Sequence, residues 1–101
     1  MSIKILISAV EDLVDARLFY EAQGAGVGDY FFDTLFSDID SLVLYAGTHS
    51  KVDGYYRLLS RRFPYAVYYK MDDDVVVVWR VLDLRRDPDR NRPALQAGNN
   101  K

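Results

Sequence analysis

Six arginines, Arg57, Arg61, Arg62, Arg80, Arg85 and Arg86, lie on or beside three consecutive strand-like segments of a 101-residue chain. A guanidinium is a fixed cation with a planar fork of donors that suits phosphate and carboxylate. Such a set could grip phosphates along RNA, or stabilise charge that develops in phosphodiester cleavage. It could equally receive the acidic side chains of a protein. Side chains alternate along a strand, so the six are split between two faces and cannot all converge. Cleaving RNA through its own 2′-hydroxyl also needs a base and an acid. His49 is the only histidine and sits between Thr48 and Ser50, in what reads as an exposed loop. Tyr55, Tyr56, Tyr65, Tyr68 and Tyr69 could stack bases, although tyrosine also packs well in strands.

Other chemistries find little support. There is no cysteine, which excludes disulfides and thiolate metal sites, and one histidine cannot make a multi-histidine site. Asp72-Asp73-Asp74 reads as a polar turn rather than a metal loop. Gly24, Gly26 and Gly28 superficially resemble a phosphate loop, but they follow a helix rather than a strand. Glu11, Asp12, Asp15 and Glu21 read as the solvated face of a helix. No metal and no cofactor are expected. No stretch approaches the ~20 apolar residues of a membrane span, so a soluble cytoplasmic protein is the default expectation. The net charge of −2 hides an asymmetry. Residues 1–54 carry three basic and nine acidic side chains, whereas residues 55–101 carry ten basic and six acidic ones. The basic half suits nucleic acid or an acidic protein partner.

The elements that must carry these residues follow from periodicity. Half the residues are hydrophobic, enough for one folded core in a chain of this length. Ile3 to Ile7 reads as a strand. Ser8 and Glu11 have capping-box spacing, so a helix should start there. Ala9, Leu13, Ala16 and Tyr20 mark its buried face. The glycines from Gly24 to Gly28 should end it, one of them as a left-handed C-cap. A second helix runs from about Asp29 to Tyr45, with Phe32, Leu35, Ile39 and Leu42 inward and Asp33, Asp38 and Asp40 at polar positions. Ala46 to Asp53 reads as a loop. Strands are expected over Gly54–Ser60, Phe63–Met71 and Val75–Leu82, joined by short connections and therefore antiparallel. In the last, Val75, Val77, Trp79 and Val81 oppose Val76, Val78, Arg80 and Leu82; apolar on both faces, it belongs inside the sheet. The class is α+β in the order β-α-α-β-β-β, a helical hairpin packed on one face of a small antiparallel-rich sheet. The opposite face is left partly apolar and aromatic, which calls for a partner. One domain should span residues 1–88, with a loose tail over 89–101.

The ordered set of residues is similar to the ParE/RelE superfamily of toxins from bacterial type II toxin–antitoxin systems, near the plasmid stabilisation system proteins. The similarity is carried by Ala9, Asp12-Leu13, Ala16 and Phe19-Tyr20-Glu21 in the first helix, and by Gly28, Phe32 and Ile39 in the second. Its strongest part is Tyr56-Arg57, Arg61 to Tyr69, Val75-Val76-Val77, Val81-Leu82 and Arg85-Arg86-Asp87-Pro88. The resemblance implies a compact toxin held inactive by a cognate antitoxin in a hetero-oligomer. RelE-like members cut messenger RNA on the ribosome, whereas ParE-like members inhibit DNA gyrase and need no nuclease site. In a RelE-like alignment Arg57 falls where a catalytic lysine often sits, and Arg86 falls on a catalytic arginine. Ala66 stands in place of another arginine, Arg92 in place of a tyrosine, and Asp83 where related chains often carry histidine. The resemblance therefore implies a protein closer to ParE, acting by binding, with Arg57, Arg61, Arg62, Tyr68, Arg80, Arg85 and Arg86 as its target- or antitoxin-binding face. The alternatives are a ribosome-dependent messenger RNA endonuclease using Arg57 and Arg86, and a decayed toxin that keeps only antitoxin binding.

Overall fold

Eight elements follow one another along the chain: β1 (Ser2–Ile5), α1 (Ile7–Glu21), α2 (Val27–Asp40), α3 (Leu42–Tyr45), β2 (Lys51–Val52), β3 (Tyr55–Leu59), β4 (Tyr65–Asp72) and β5 (Val75–Asp83). They are taken from a computed structural model that describes residues 1–86 and 91–95. The fold is α+β, with helices packed on a mixed five-stranded sheet of order β1-β5-β4-β3-β2. β1 runs parallel to β5, and the other pairings are antiparallel. β5 lies inside the sheet, as its two apolar faces require.

The structure adds two elements to the expected order. The long second helix is interrupted at Ser41, whose hydroxyl donates to the Asp38 carbonyl at 2.6 Å. Hydroxyl bonding back to the preceding turn competes with the helical ladder and bends it. The second addition, β2, lies within the segment expected to be loop. Asp53 and Gly54 both have positive φ, 53° and 86°, the signature of a two-residue hairpin turn that pairs Val52 with Tyr55.

The helix ends also differ from expectation. Ser8 does not cap α1. The β1 ladder ends with the Leu6 amide donating to the Val78 carbonyl at 3.0 Å and passes directly into the helix. The Ser8 hydroxyl turns to the sheet and donates to the Trp79 carbonyl at 2.8 Å. Nor does a left-handed glycine close α1, which ends in a right-handed Ala22. Gly26, at φ 86°, instead opens α2. Glu21 is exposed, yet its carboxylate accepts the Gly26 and Gly28 amides at 3.0 and 2.9 Å. The amide cradle that resembled a phosphate loop thus holds an anion from its own chain. At Gly28 the helices nearly touch, and a Cβ there would lie 2.6 Å from the Arg17 carbonyl oxygen.

Between helices and sheet lies the main core. Ala9, Leu13, Ala16 and Tyr20 are buried as their spacing requires. From α2 the buried aromatic is Phe31, while Phe32 is only half-buried and packs on Phe36. Phe31 belongs to an aromatic cluster with Tyr20, Phe63 and Tyr65, with ring centroids 4.9 to 5.0 Å apart around Phe31. The alternation expected in β5 breaks at a bulge. Tyr68 pairs with Arg80 and Tyr69 with Val78, which leaves Trp79 unopposed. Val81 therefore joins Val76 and Val78 beneath the helices, while Leu82 joins Trp79 on the opposite face.

Past the end of β1, α1 completes β5. Asp12 accepts the Val81 amide at 2.9 Å and the Arg80 guanidinium at 2.7 and 2.8 Å. Replacing Asp12 with alanine would orphan an amide and a partly shielded cation, and should cost about 3 kcal/mol in urea unfolding. A loss under about 1 kcal/mol would mean that the clamp is dispensable. Gly28→Ala should cost about 1–3 kcal/mol by overpacking; unchanged stability would show that the hairpin relaxes freely.

Candidate functional site

The six arginines sort into three sets. Arg61 donates to Asp38 at 3.0 Å, on the helix side of the sheet. Asp38 was expected at a polar surface position, yet it is only 2% exposed and also accepts from Ser60 at 2.7 Å. Arg80 is held by Asp12, and that hydrogen bond raises its already high pKa. Arg85 donates to Asp83 through Nε and Nη2 at 3.0 and 2.8 Å. Burial alone would raise the Asp83 carboxyl, but the Arg85 bonds outweigh it and hold the carboxyl below its ordinary value. The Tyr65 phenol beside this pair is pushed up to about 12, chiefly by burial and then by Asp83. Arg61, Arg80 and Arg85 each pair with a carboxylate of this chain, and of the three only Arg80 is largely shielded from solvent.

Arg57 and Arg86 are the two that meet. They border a cleft of about 180 Å³ on the face of the sheet away from the helices, with Tyr68, Leu84, Asn91 and Arg92. Arg57 stands directly across the ladder from Tyr68, which is buried between its neighbours. Among the described residues neither guanidinium has a carboxylate partner. Arg62 is exposed before β4, apart from this cleft. The cleft combines fixed cations with apolar walls, an arrangement that binds anionic groups from solution or from a protein surface.

Residues 91–95 form one wall. Expected within a loose tail, they make a helical turn seated on the sheet. Leu95 is buried with Tyr55, Ala66, Tyr68 and Leu82, and the Tyr55 hydroxyl donates to the Leu95 carbonyl at 2.8 Å. Asn91 Nδ2 donates to the Asp83 carbonyl at 3.0 Å, and Arg92 lies 3.8 Å from Asp53. Among the described residues Asn91 Oδ1 and Trp79 Nε1 are buried without a hydrogen-bond partner. The remainder of the expected tail, 89–90 and 96–101, lies outside the described residues, as do Asp87 and Pro88. Sequence reading missed this wall because Pro88 and Pro93 suggested only irregular chain; the available signal was Leu95, an apolar residue able to cover an aromatic sheet face.

His49 is placed differently from its reading as a solvent-exposed loop residue. Its ring is half-buried, and Nδ1 is hydrogen-bonded to the Tyr69 hydroxyl, which also accepts the Gly47 amide at 2.9 Å. His49 shares an edge cleft of about 370 Å³ with Arg57, but it does not border the cleft where Arg86 lies. Among the described residues no cluster of three or more metal-ligating side chains exists, and no helix is long and apolar enough to cross a membrane.

A helical hairpin on a mixed sheet, with a cationic and aromatic reverse face, defines a small α+β binding scaffold. Residues 3–88 match the family profile described as ParE toxin of type II toxin–antitoxin system, parDE. The chain belongs to that ParE toxin family. A solved structure described as a chromosomal ParDE TA system from P. aeruginosa superposes with a TM-score of 0.71 at 17% identity, covering 84% of this chain and 97% of that one. At that identity the likeness is one of fold. No curated protein matches.

Burial lowers the His49 pKa from 6.5, so folding favours the neutral ring. Its contribution to stability is complete above pH 6.5 and is lost as pH falls through the lowered folded value. The midpoint of thermal unfolding should therefore drop further on acidification to about pH 5 in the natural chain than in His49→Gln. Parallel curves for the two would show that His49 does not contribute.

Proposed function

We propose that this chain is the toxin of a type II toxin–antitoxin module that arrests growth by binding, with DNA gyrase as its target and a cognate antitoxin neutralising it. The observation that carries this reading is the make-up of the Arg57–Arg86 cleft. It holds cations that do not release protons at physiological pH, and apolar walls. Among the described residues its one carboxylate, Asp53, faces Arg92. Proton transfer through such a set has no donor or acceptor poised near neutrality, whereas anion binding needs none. Ala66, fully buried where RelE-like members carry an arginine, points the same way. The antitoxin would overlap this face, and family membership supports its presence as a partner.

A second reading, ribosome-dependent cleavage of messenger RNA, is favoured by one observation. His49 and Arg57 share the edge cleft, which would place a neutral imidazole beside a phosphate-binding cation. Two assays separate the readings. The purified protein should inhibit gyrase supercoiling and leave messenger RNA intact in a translating extract. Arg57→Ala and Arg86→Ala should each weaken inhibition about thirtyfold, the loss of roughly 2 kcal/mol expected of an interfacial arginine. New messenger RNA ends that disappear in His49→Gln would instead establish the nuclease. If neither activity appears and expression without antitoxin leaves growth unaffected, only antitoxin binding remains.

A further inference from the structure

A second cleft, of about 260 Å³, lies where α1 passes the end of β5. One wall is helical, with Asp15, Ala16 and Phe19. The other comes from β4, β5 and the turn beyond, with Tyr65, Val81 and Arg86. Ala16, Tyr65 and Val81 are buried and give the cleft an apolar floor. Phe19 is 51% exposed, so its ring is open to an apolar group.

The charges that border this cleft indicate what it could hold. Two of its carboxylates are already engaged, Asp12 by Arg80 and the Val81 amide, and Asp83 by Arg85. Asp15 and Arg86 are exposed, and among the described residues neither is ion-paired. They carry opposite signs, stand on facing walls of one cleft and do not meet. An anion seated on Arg86 would also face the Asp15 and Asp83 carboxylates. A metal cation would find one carboxylate free, too few oxygens for a hard ion. A molecule that carries both charges satisfies both walls.

We propose that this cleft binds a free α-amino acid with an apolar side chain, its carboxylate on Arg86, its ammonium on Asp15 and its side chain against Phe19. The guanidinium fork matches a carboxylate, and the aspartate takes the ammonium as a point charge. The volume suits a ligand of that size and falls below the range of drug-sized pockets. Asp15 does not border the Arg57–Arg86 cleft, so the site stands whether or not gyrase is the target.

The test follows amide chemical shifts of the full chain during titration with three ligands. These are phenylalanine, 3-phenylpropionate, which lacks the ammonium, and 2-phenylethylamine, which lacks the carboxylate. Phenylalanine should bind about fivefold tighter than either analogue, with shifts around Asp15 to Phe19 and at the end of β5. Asp15→Asn should erase the preference over 3-phenylpropionate and keep that over 2-phenylethylamine. Arg86→Gln should do the reverse. Both side chains are exposed, so neither exchange disturbs the core. Equal binding of the three ligands, preferences that survive both exchanges, or shifts confined to another surface would overturn the proposal. So would tighter binding of either analogue than of phenylalanine, since the cleft would then hold a simple anion or cation. Absence of binding at about 10 mM phenylalanine, several times the dissociation constant of a ligand this small, would overturn it as well.

Discussion

β1 has four residues and β5 has nine, and most of the architecture depends on that mismatch. A strand inside a sheet must satisfy its backbone groups on both sides. β1 reaches only as far as Val78, so the rest of β5 would present a bare edge in the middle of the fold. α1 supplies what the missing strand would have supplied. Ser8 donates to the Trp79 carbonyl, and Asp12, one turn later, accepts the Val81 amide. The i, i+4 spacing of a helix thereby substitutes for strand pairing. The bulge at Trp79 sits where one kind of pairing gives way to the other, and it returns Val81 to the main core. The hairpin is thus held to the sheet by directed bonds as well as by apolar packing.

Charge pairing within the chain engages several of the arginines. The acidic first half and basic second half look like an invitation to external partners. Much of that asymmetry is consumed internally. Asp12 clamps Arg80, Asp38 clamps Arg61, and Asp53 faces Arg92, each joining an acid of the first half to an arginine of the second. These pairs connect helix layer to sheet, and hairpin turn to the 91–95 wall. Pairing cations with anions across layers stabilises modestly, but removing Arg80 or Arg61 leaves a shielded carboxylate, Asp12 or Asp38, without its cation. Arg57, Arg62 and Arg86 have no carboxylate partner among the described residues, and of these Arg57 and Arg86 share a cleft beside Tyr68.

The legible parts of the sequence were those governed by periodicity. The inward face of α1, the two faces of β4 and the interior place of β5 follow from spacing alone. Side chains that act at a distance were not legible. Asp12 and Glu21 occupy the outward half of an amphipathic pattern, and nothing local distinguishes them from solvated acids. Their partners lie in β5 and at the start of α2. The β2–β3 hairpin is a different case, because Asp53-Gly54 is a strong turn signal that could have been read. The shift in β5 could not, since a run of four valines conceals where the alternation changes phase.

Ala66 connects the packing of the reverse face to its function. It is fully buried in the cluster that Leu95 closes, so the 91–95 turn is seated over a position with no side chain beyond Cβ. A guanidinium at that position would need an acceptor in the space where Leu95 now packs. Having alanine, the chain gains an apolar patch and a wall for the Arg57–Arg86 cleft. Arginines beside an apolar wall are, under the proposed function, the pattern of a protein-recognition face.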